Sequence, residues 1–167
     1  MKHIEPSWNI DQIKLLDIEQ QPYPSIGFES ESGVNLEQYK QLMSAGVLRE
    51  LPSCFDKDQL ESEFDWIDHK AYAIHKMLPG TILPLHRDKY SYYSTRFDIK
   101  DFDNIVRVIV FLEDHRIGHV LQIEGTEVKE WRAGDYVSWR GKKALLAANF
   151  GNSDRYTLQV TGIANQI

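Results

Sequence analysis

The spacing of hydrophobic residues changes near residue 70 and predicts two unlike halves of the chain. Before that point, apolar and polar positions are mixed, and three stretches have helical spacing: 7–18, 35–45 and 58–67. In the second stretch, Asn35 suits an N-cap and Gly46 a helix stop, with an apolar stripe between them. The first half is therefore predicted to be helical and irregular.

After residue 70, apolar and polar residues alternate as they do in half-buried strands. The predicted strands are 71–78, 105–112, 119–123, 126–130, 135–139, 144–150 and 155–163, bounded by glycine-containing turns. Short strands at near-regular spacing predict a sandwich or barrel, and no crossover helix fits between them. Helices followed by strands favour a mainly β, cupin-like jelly roll with the N-terminal helices packed outside. We expect one domain over residues 1–167, with residues 1–68 as support and residues 70–163 as two facing antiparallel sheets.

Composition and charge exclude several classes of protein. The chain is 42% hydrophobic and 26% charged, as in a globular protein. Its longest apolar stretch, 105–112, contains Arg107 and is too short to span a bilayer. A net charge of −6 argues against a nucleic-acid partner, and the single Cys54 excludes an internal disulfide. Because residues 1–14 also lack the apolar stretch of a signal peptide, we expect a cytoplasmic protein with no membrane partner.

Two features have the chemistry of a ligand site. In a strand, residues two apart share a face, so His86 and Asp88 would bring an imidazole and a carboxylate to one point. That pair is two-thirds of the facial triad that binds non-haem iron(II), although His-x-Asp by itself is more often a surface pair or a capped turn. Arg155 lies in an alternating strand, where a buried guanidinium needs an anion: a ligand carboxylate or a structural salt bridge.

Five sequence blocks together resemble a known family. They are PGTILPLHRD, NIVRVIVFLEDHRIGH, WRAGDYVSW, AANFG and DRYTLQVTG. Over residues 70–163 the chain resembles the aspartyl/asparaginyl β-hydroxylase-like branch of the 2-oxoglutarate/iron(II) oxygenases, in particular its short members from marine phages and bacteria. The resemblance implies a double-stranded β-helix, with His86 and Asp88 as iron(II) ligands and Arg155 as the 2-oxoglutarate anchor. It also implies that Arg107 and Asn149 lie near the cosubstrate, and that dioxygen and a small-molecule or peptide substrate are the other partners.

The chain departs from this family at the third iron ligand. The distal histidine of the family lies ten residues before the anchoring arginine, and Leu145 stands there in this sequence. His119, His75 and Glu124 are the candidates for a substitute ligand, and His119 is also a candidate substrate contact.

Two functions remain open at this stage. The first is a 2-oxoglutarate- and iron(II)-dependent dioxygenase that hydroxylates an amino-acid or peptidyl side chain. The alternative is a catalytically impaired oxygenase-fold protein that acts as a binding or regulatory module. Both predict that His86, Asp88, Leu145 and Arg155 line one cavity.

Overall fold

Two antiparallel β-sheets face each other in the computed structural model, which describes residues 1–22 and 42–165. The large sheet has seven strands in the order β1-β9-β6-β11-β4-β3-β2, and the small sheet has four in the order β5-β10-β7-β8. The strands are β1 Lys2–His3, β2 Gln20–Pro22, β3 Ser44–Leu48, β4 Ile67–Met77, β5 Thr81–Arg87, β6 Ile105–Phe111, β7 His119–Ile123, β8 Thr126–Glu127, β9 Asp135–Arg140, β10 Ala144–Asn149 and β11 Arg155–Ala164. This architecture confirms the predicted jelly roll, a double-stranded β-helix.

Three short helices lie in the described residues: α1 Ile10–Lys14, α2 Lys57–Glu63 and α3 Ser91–Phe97. Asn9 caps α1 by accepting hydrogen bonds from the backbone of Asp11 and Gln12. Asp56 caps α2 in the same way, through the backbone N–H of Gln59. None of the helices in the described ranges is long and apolar enough to cross a bilayer.

The N-terminal segment differs from its prediction in one respect. It contributes β1, β2 and β3 to the large sheet instead of packing outside it only as helices and loops. The predicted helix 35–45 is wrong at its end, because Ser44 and Ala45 lie in β3; residues 35–41 lie outside the described residues. Gly46 does not stop a helix. It lies inside β3, where a Cβ would come within 2.5 Å of the Gln20 side chain, so close packing against β2 requires glycine.

Strand β5 had no place among the predicted strands, because Pro84 interrupts its pattern. The strand forms the edge of the small sheet, and its pairing with β10 contains a bulge between Leu145 and Ala147. Proline is tolerated at such a position, since an edge strand has one side without ladder hydrogen bonds. Pro84 lies at this bulge, so β5 remains a strand despite the proline, and His86 lies near its end.

A large hydrophobic cluster lies on the outer face of the large sheet, and a smaller one, which includes Met77, Phe111 and Leu121, lies on the inner side. Ile13 of α1 and Leu60 of α2 pack on the outer face with Val108, Leu158 and Val160, all fully buried. Because side chains alternate along a strand, the intervening positions of β11 face the space between the sheets. Those positions are Arg155, Thr157, Gln159 and Thr161.

Gly134 fixes the turn before β9, and we expect Gly134→Ala to destabilise the fold strongly. Its φ is +91°, and a Cβ would lie 2.1 Å from the carbonyl oxygen of Ile4. Gly125→Ala is the matched control, because φ there is +76° and no atom lies within 4 Å of the added Cβ. Left-handed strain alone costs about 1–2 kcal/mol, so the control measures that part and Gly134→Ala adds the clash. Urea unfolding checks this, and equal losses in the two variants would contradict it.

Candidate functional site

A cavity of about 1040 Å³ lies between the two sheets and is rich in positive charge. Among the described residues that line it, Asp88 is the one carboxylate, although the whole chain carries a net charge of −6. The lining cations are Arg49, Lys76, Arg87, Lys89, Arg107 and Arg155. Low-dielectric walls of one sign of charge concentrate the opposite sign, so this cavity favours an anionic ligand.

His86 reaches the cavity from the end of β5, directly opposite Leu145 of β10. Its Nδ1 lies 2.7 Å from the carbonyl oxygen of Pro84, which can only accept, so Nδ1 carries the hydrogen. The other ring nitrogen, Nε2, then faces Asp88, 3.7 Å from its Oδ1. The structure thus brings His86, Asp88 and Leu145 together as the sequence predicted.

Arg107 holds the carboxylate of Asp88. Its Nη1 lies 3.0 Å from Oδ2 of Asp88 and donates a second hydrogen bond to Oε1 of Gln159. The ring of Tyr90 covers the guanidinium at 4.9 Å. Burial alone would raise the pKa of the Asp88 carboxyl, but the charge of Arg107, together with His86 and His75, holds that pKa well below its usual range. Asp88 therefore stays ionised, with a guanidinium as its neutralising partner.

The residues present do not fit the three-ligand iron centre that the resemblance implies. No group of three His, Cys, Asp or Glu side chains with metal-binding geometry occurs in the ranges 1–22 and 42–165. His119 stacks on Trp131, and Glu124 accepts a hydrogen bond of 2.6 Å from the backbone of Ala144; neither lines the cavity. His75 does line it, but it forms no such group with His86 and Asp88. The site offers two protein donors, with an apolar Leu145 opposite them.

Arg155 lies in the same cavity, at the end of the sheet where β11 begins, and its guanidinium is buried. Nη1 donates to the carbonyl oxygens of Val120 (2.7 Å) and Ala148 (3.3 Å), and Nη2 contacts the sulfur of Met77 at 3.0 Å. No carboxylate pairs with it within the described part of the chain. Burial lowers the pKa of Arg155 to about 10, so the group remains a cation at neutral pH. A structural salt bridge, the alternative to a ligand carboxylate, is therefore absent from the described residues.

Asn149 has a structural environment that the sequence did not predict. Its side chain is fully buried, and its amide donates to the carbonyl oxygens of Met77 and Ser153. Its Oδ1 accepts from the backbone of Gly151. These hydrogen bonds tie the β10–β11 turn to β4. Asn149 does not line the cavity, so it does not contact a ligand in it.

His75, a candidate substitute ligand, lines the cavity, and Arg49 is a cavity residue that the sequence did not predict. His75 lies on the inner face of β4, opposite Thr157 of β11 and Val47 of β3. Arg49 follows β3 directly, and its guanidinium stacks over the ring of Tyr92 at 4.3 Å. Alternation along β4 could have predicted that His75 shares the inner face with Met77. No local pattern predicted β3, so the position of Arg49 could not be predicted.

We expect the protein to lose stability as the pH falls from about 6.5 towards 4, and His75→Gln to reduce this loss. Burial, then the charges of Arg107 and Arg49, lower the pKa of His75 to about 4. An unfolded histidine titrates near 6.5, so in this range the unfolded state binds more protons and acidification favours it. Each unit of pKa difference corresponds to about 1.4 kcal/mol, so the window is worth a few kcal/mol at most.

Urea unfolding at about pH 7 and about pH 5 tests this prediction, since both values lie inside or above the titration window. The control is His69→Gln, which alters an exposed histidine on the same strand. If wild type and His75→Gln lose the same free energy of unfolding on acidification, His75 does not remain neutral in the folded protein.

The sequence matches no protein-family model, and no curated protein matches it. Solved structures are similar in fold. A predicted oxalate decarboxylase from Thermotoga maritima is 16% identical, with 88% of this chain and 94% of that chain covered and a TM-score of 0.45. A cupin protein from Bacteroides fragilis is 15% identical, with 59% and 69% covered and a TM-score of 0.41. A cupin 2 conserved barrel domain protein from Salinispora arenicola is 10% identical, with 71% and 75% covered and a TM-score of 0.43.

These likenesses are too distant to carry an argument about activity, ligand or metal. The jelly-roll architecture rests on the two facing sheets of this chain. The chemistry of the cavity in this chain determines what it can bind.

Proposed function

We propose that the barrel binds a small dicarboxylate of the 2-oxoglutarate class, with Arg155 as the anchor of one carboxylate. The observation that carries this proposal is the state of Arg155: a buried, charged guanidinium without a carboxylate partner among the described residues. A desolvated cation is costly unless an anion and hydrogen bonds compensate it. Carbonyl dipoles and a thioether supply only part of that compensation.

The rest of the cavity supports a second negative charge on the ligand. Arg107 lies in the same cavity, where Asp88 and Gln159 engage its Nη1 and its buried Nε has no hydrogen-bond partner among the described residues. Asp88 offsets the charge of Arg107 and Asp154 pairs with Lys76, which leaves Arg49, Lys89 and Arg155 as lining cations without a carboxylate partner in the described ranges. A planar guanidinium in a fixed orientation suits a carboxylate better than a flexible ammonium does. A dicarboxylate therefore suits this cavity better than a monoacid.

Matched ligands test the proposal by isothermal titration calorimetry and thermal shift. 2-Oxoglutarate and glutarate carry both carboxylates, whereas 2-oxopentanoate has the same carbon chain without the distal one. We expect both dicarboxylates to bind and to raise Tm, with 2-oxopentanoate at least about tenfold weaker, since a charge-assisted hydrogen bond contributes about 1.5–3 kcal/mol. Equal affinity for 2-oxoglutarate and 2-oxopentanoate, or no binding of either, would refute the proposal.

A second candidate function is an iron(II)- and 2-oxoglutarate-dependent dioxygenase acting on an amino-acid or peptidyl side chain. One observation favours it: His86 donates from Nδ1 to the Pro84 carbonyl, the support that a metal-bound histidine usually has. Bound iron(II) would supply the activation of dioxygen, with His86 and Asp88 as its two protein donors. The missing third donor makes this the weaker of the two candidates.

Succinate release separates the two candidates. The enzyme predicts succinate formed from 2-oxoglutarate only when iron(II) and dioxygen are both present. A binding or regulatory module predicts 2-oxoglutarate binding without succinate. Asp88→Asn provides the control, because an enzyme that uses this carboxylate would lose succinate formation with it.

A further inference from the structure

The cavity extends well beyond the space around Arg155. Its volume of about 1040 Å³ lies at the upper end of the ~300–1000 Å³ typical of sites for drug-sized ligands, far more than a five-carbon dicarboxylate fills. The lining includes Arg155, Met77 and Leu121, and also Arg49, which follows β3, and Tyr92 of α3. The unfilled part has its own set of polar groups.

We propose that this second part is a subsite for a hydrophobic carboxylic acid. The carboxylate of this acid binds Arg49, and an oxygen at the same end of the ligand reaches Nε2 of His75. The subsite is defined by Arg49, His75 and Tyr92 together with the apolar wall between them. The subsite rests on the proposed function in one point: the dicarboxylate occupies the part of the cavity at Arg155.

Arg49 is oriented for a carboxylate and has no such partner in the described ranges. Its guanidinium lies 4.3 Å above the ring of Tyr92, which belongs to α3. Stacking covers one face of the guanidinium and leaves its N–H groups, which lie in its plane, directed sideways. Both side chains are exposed and line the cavity, so the guanidinium of Arg49 is accessible to the planar carboxylate of an incoming acid.

His75 adds a polar atom that lacks a partner. Its Nε2 is shielded from solvent and makes no hydrogen bond within residues 1–22 and 42–165. His75 is paired opposite Val47 of β3, and Arg49 lies two residues after Val47, so both side chains share the inner face. An unsatisfied buried polar atom destabilises the protein, and a ligand oxygen or hydroxyl at this position would satisfy it.

The wall around these two residues is apolar, which determines the body of the ligand. Its members are small or aromatic side chains that line the cavity on β3, β4 and α3: Ala45, Val47, Ala71, Ala73, Tyr92 and Tyr93. A cation next to an alanine-rich, tyrosine-edged wall fits an acid with an aromatic or aliphatic body. A small dicarboxylate does not fit this subsite, because its second carboxylate would lie against the apolar wall.

Phenylacetate and its neutral isostere phenylacetamide are the probes for this subsite. Amide-detected NMR of the full chain, with 2-oxoglutarate saturating, should show phenylacetate shifting the signals of Arg49, His75 and Tyr92. We expect phenylacetamide to bind at least about fivefold more weakly, and Arg49→Gln to weaken phenylacetate to a similar extent. Arg49→Lys should recover part of the affinity. Arg132→Gln, which removes an exposed cation outside the cavity, should not change it.

The outcomes distinguish this subsite from the proposed function. Displacement of phenylacetate by 2-oxoglutarate, equal binding of the two probes, or an Arg49→Gln variant that binds like wild type would each overturn the subsite. If 2-oxoglutarate fails to bind but phenylacetate still binds in an Arg49-dependent way, the dicarboxylate proposal fails and the subsite stands. Well-dispersed amide spectra of each variant confirm that a loss of binding is not a loss of fold.

Discussion

Arg155→Met is expected to abolish 2-oxoglutarate binding without reducing the stability of the ligand-free protein. Removing one partner of a buried, hydrogen-bonded charge pair costs about 2–5 kcal/mol, so the affinity should fall by at least about 30-fold. Methionine has a similar length, and replacing an uncompensated buried charge with an apolar group is often neutral or stabilising. Calorimetry with 2-oxoglutarate and urea unfolding of the ligand-free proteins measure the two effects.

The combination of the two effects makes this prediction specific. A purely structural Arg155 would give the opposite result, with a large loss of stability because the carbonyls of Val120 and Ala148 lose their donor. Arg155→Lys is the control, since it keeps the charge but loses the two-pronged geometry, and it should bind with intermediate affinity. A destabilised Arg155→Met variant that still binds 2-oxoglutarate would contradict the proposal.

Leu145→His is expected to strengthen divalent-metal binding by at least about tenfold, because it adds a third donor to a two-donor site. Leu145 lies opposite His86 in the β5–β10 pairing, where facing residues have Cβ atoms about 5 Å apart. Its side chain lines the cavity that His86 and Asp88 enter. Anaerobic titration with iron(II), and titration with manganese(II) followed by electron paramagnetic resonance, measure the change.

Lys142 and Lys143 do not stand in the way of this gain of function, whereas Arg107, 3.0 Å from Oδ2 of Asp88, competes with a metal for that carboxylate. Lys142 places its ammonium over the ring of Phe102 at 4.3 Å, and neither Lys142 nor Lys143 lines the cavity. The matched control is Leu146→His, which puts the same side chain on the opposite face of β10. If the two variants bind metal equally, or if wild type binds as tightly as Leu145→His, Leu145 does not occupy the position of a missing ligand.

Alternation along the chain predicted most of the C-terminal half because it is a local property. Strand β7 has the bounds that the sequence predicts, and β11 places Arg155 on the inner face as its alternation requires. Strand β3 could not be predicted in this way. Its pairing with β2 and β4 depends on partners far along the chain, and its alanine and glycine have no strong strand preference.

The site shows the same division between local and tertiary information. Two-residue spacing in a strand predicted the convergence of His86 and Asp88; Asp88 lies one residue beyond β5, and both residues line the cavity. The pairing of Asp88 with Arg107 joins β6 to the end of β5, and no local pattern specifies which cation reaches that carboxylate. The contacts of Arg155 with Val120 and Ala148 likewise depend on how the small sheet packs over β11.

A crystal structure of the wild-type protein with saturating 2-oxoglutarate tests the central proposal most directly. The account predicts one carboxylate of the ligand inside the barrel, within about 2.7–3.1 Å of the terminal nitrogens of Arg155. The other carboxylate should point along the cavity, away from Met77 and Leu121 and towards the cationic wall. If Arg155 retains only the carbonyls of Val120 and Ala148 and the sulfur of Met77, with 2-oxoglutarate bound elsewhere or not at all, the proposed function is wrong.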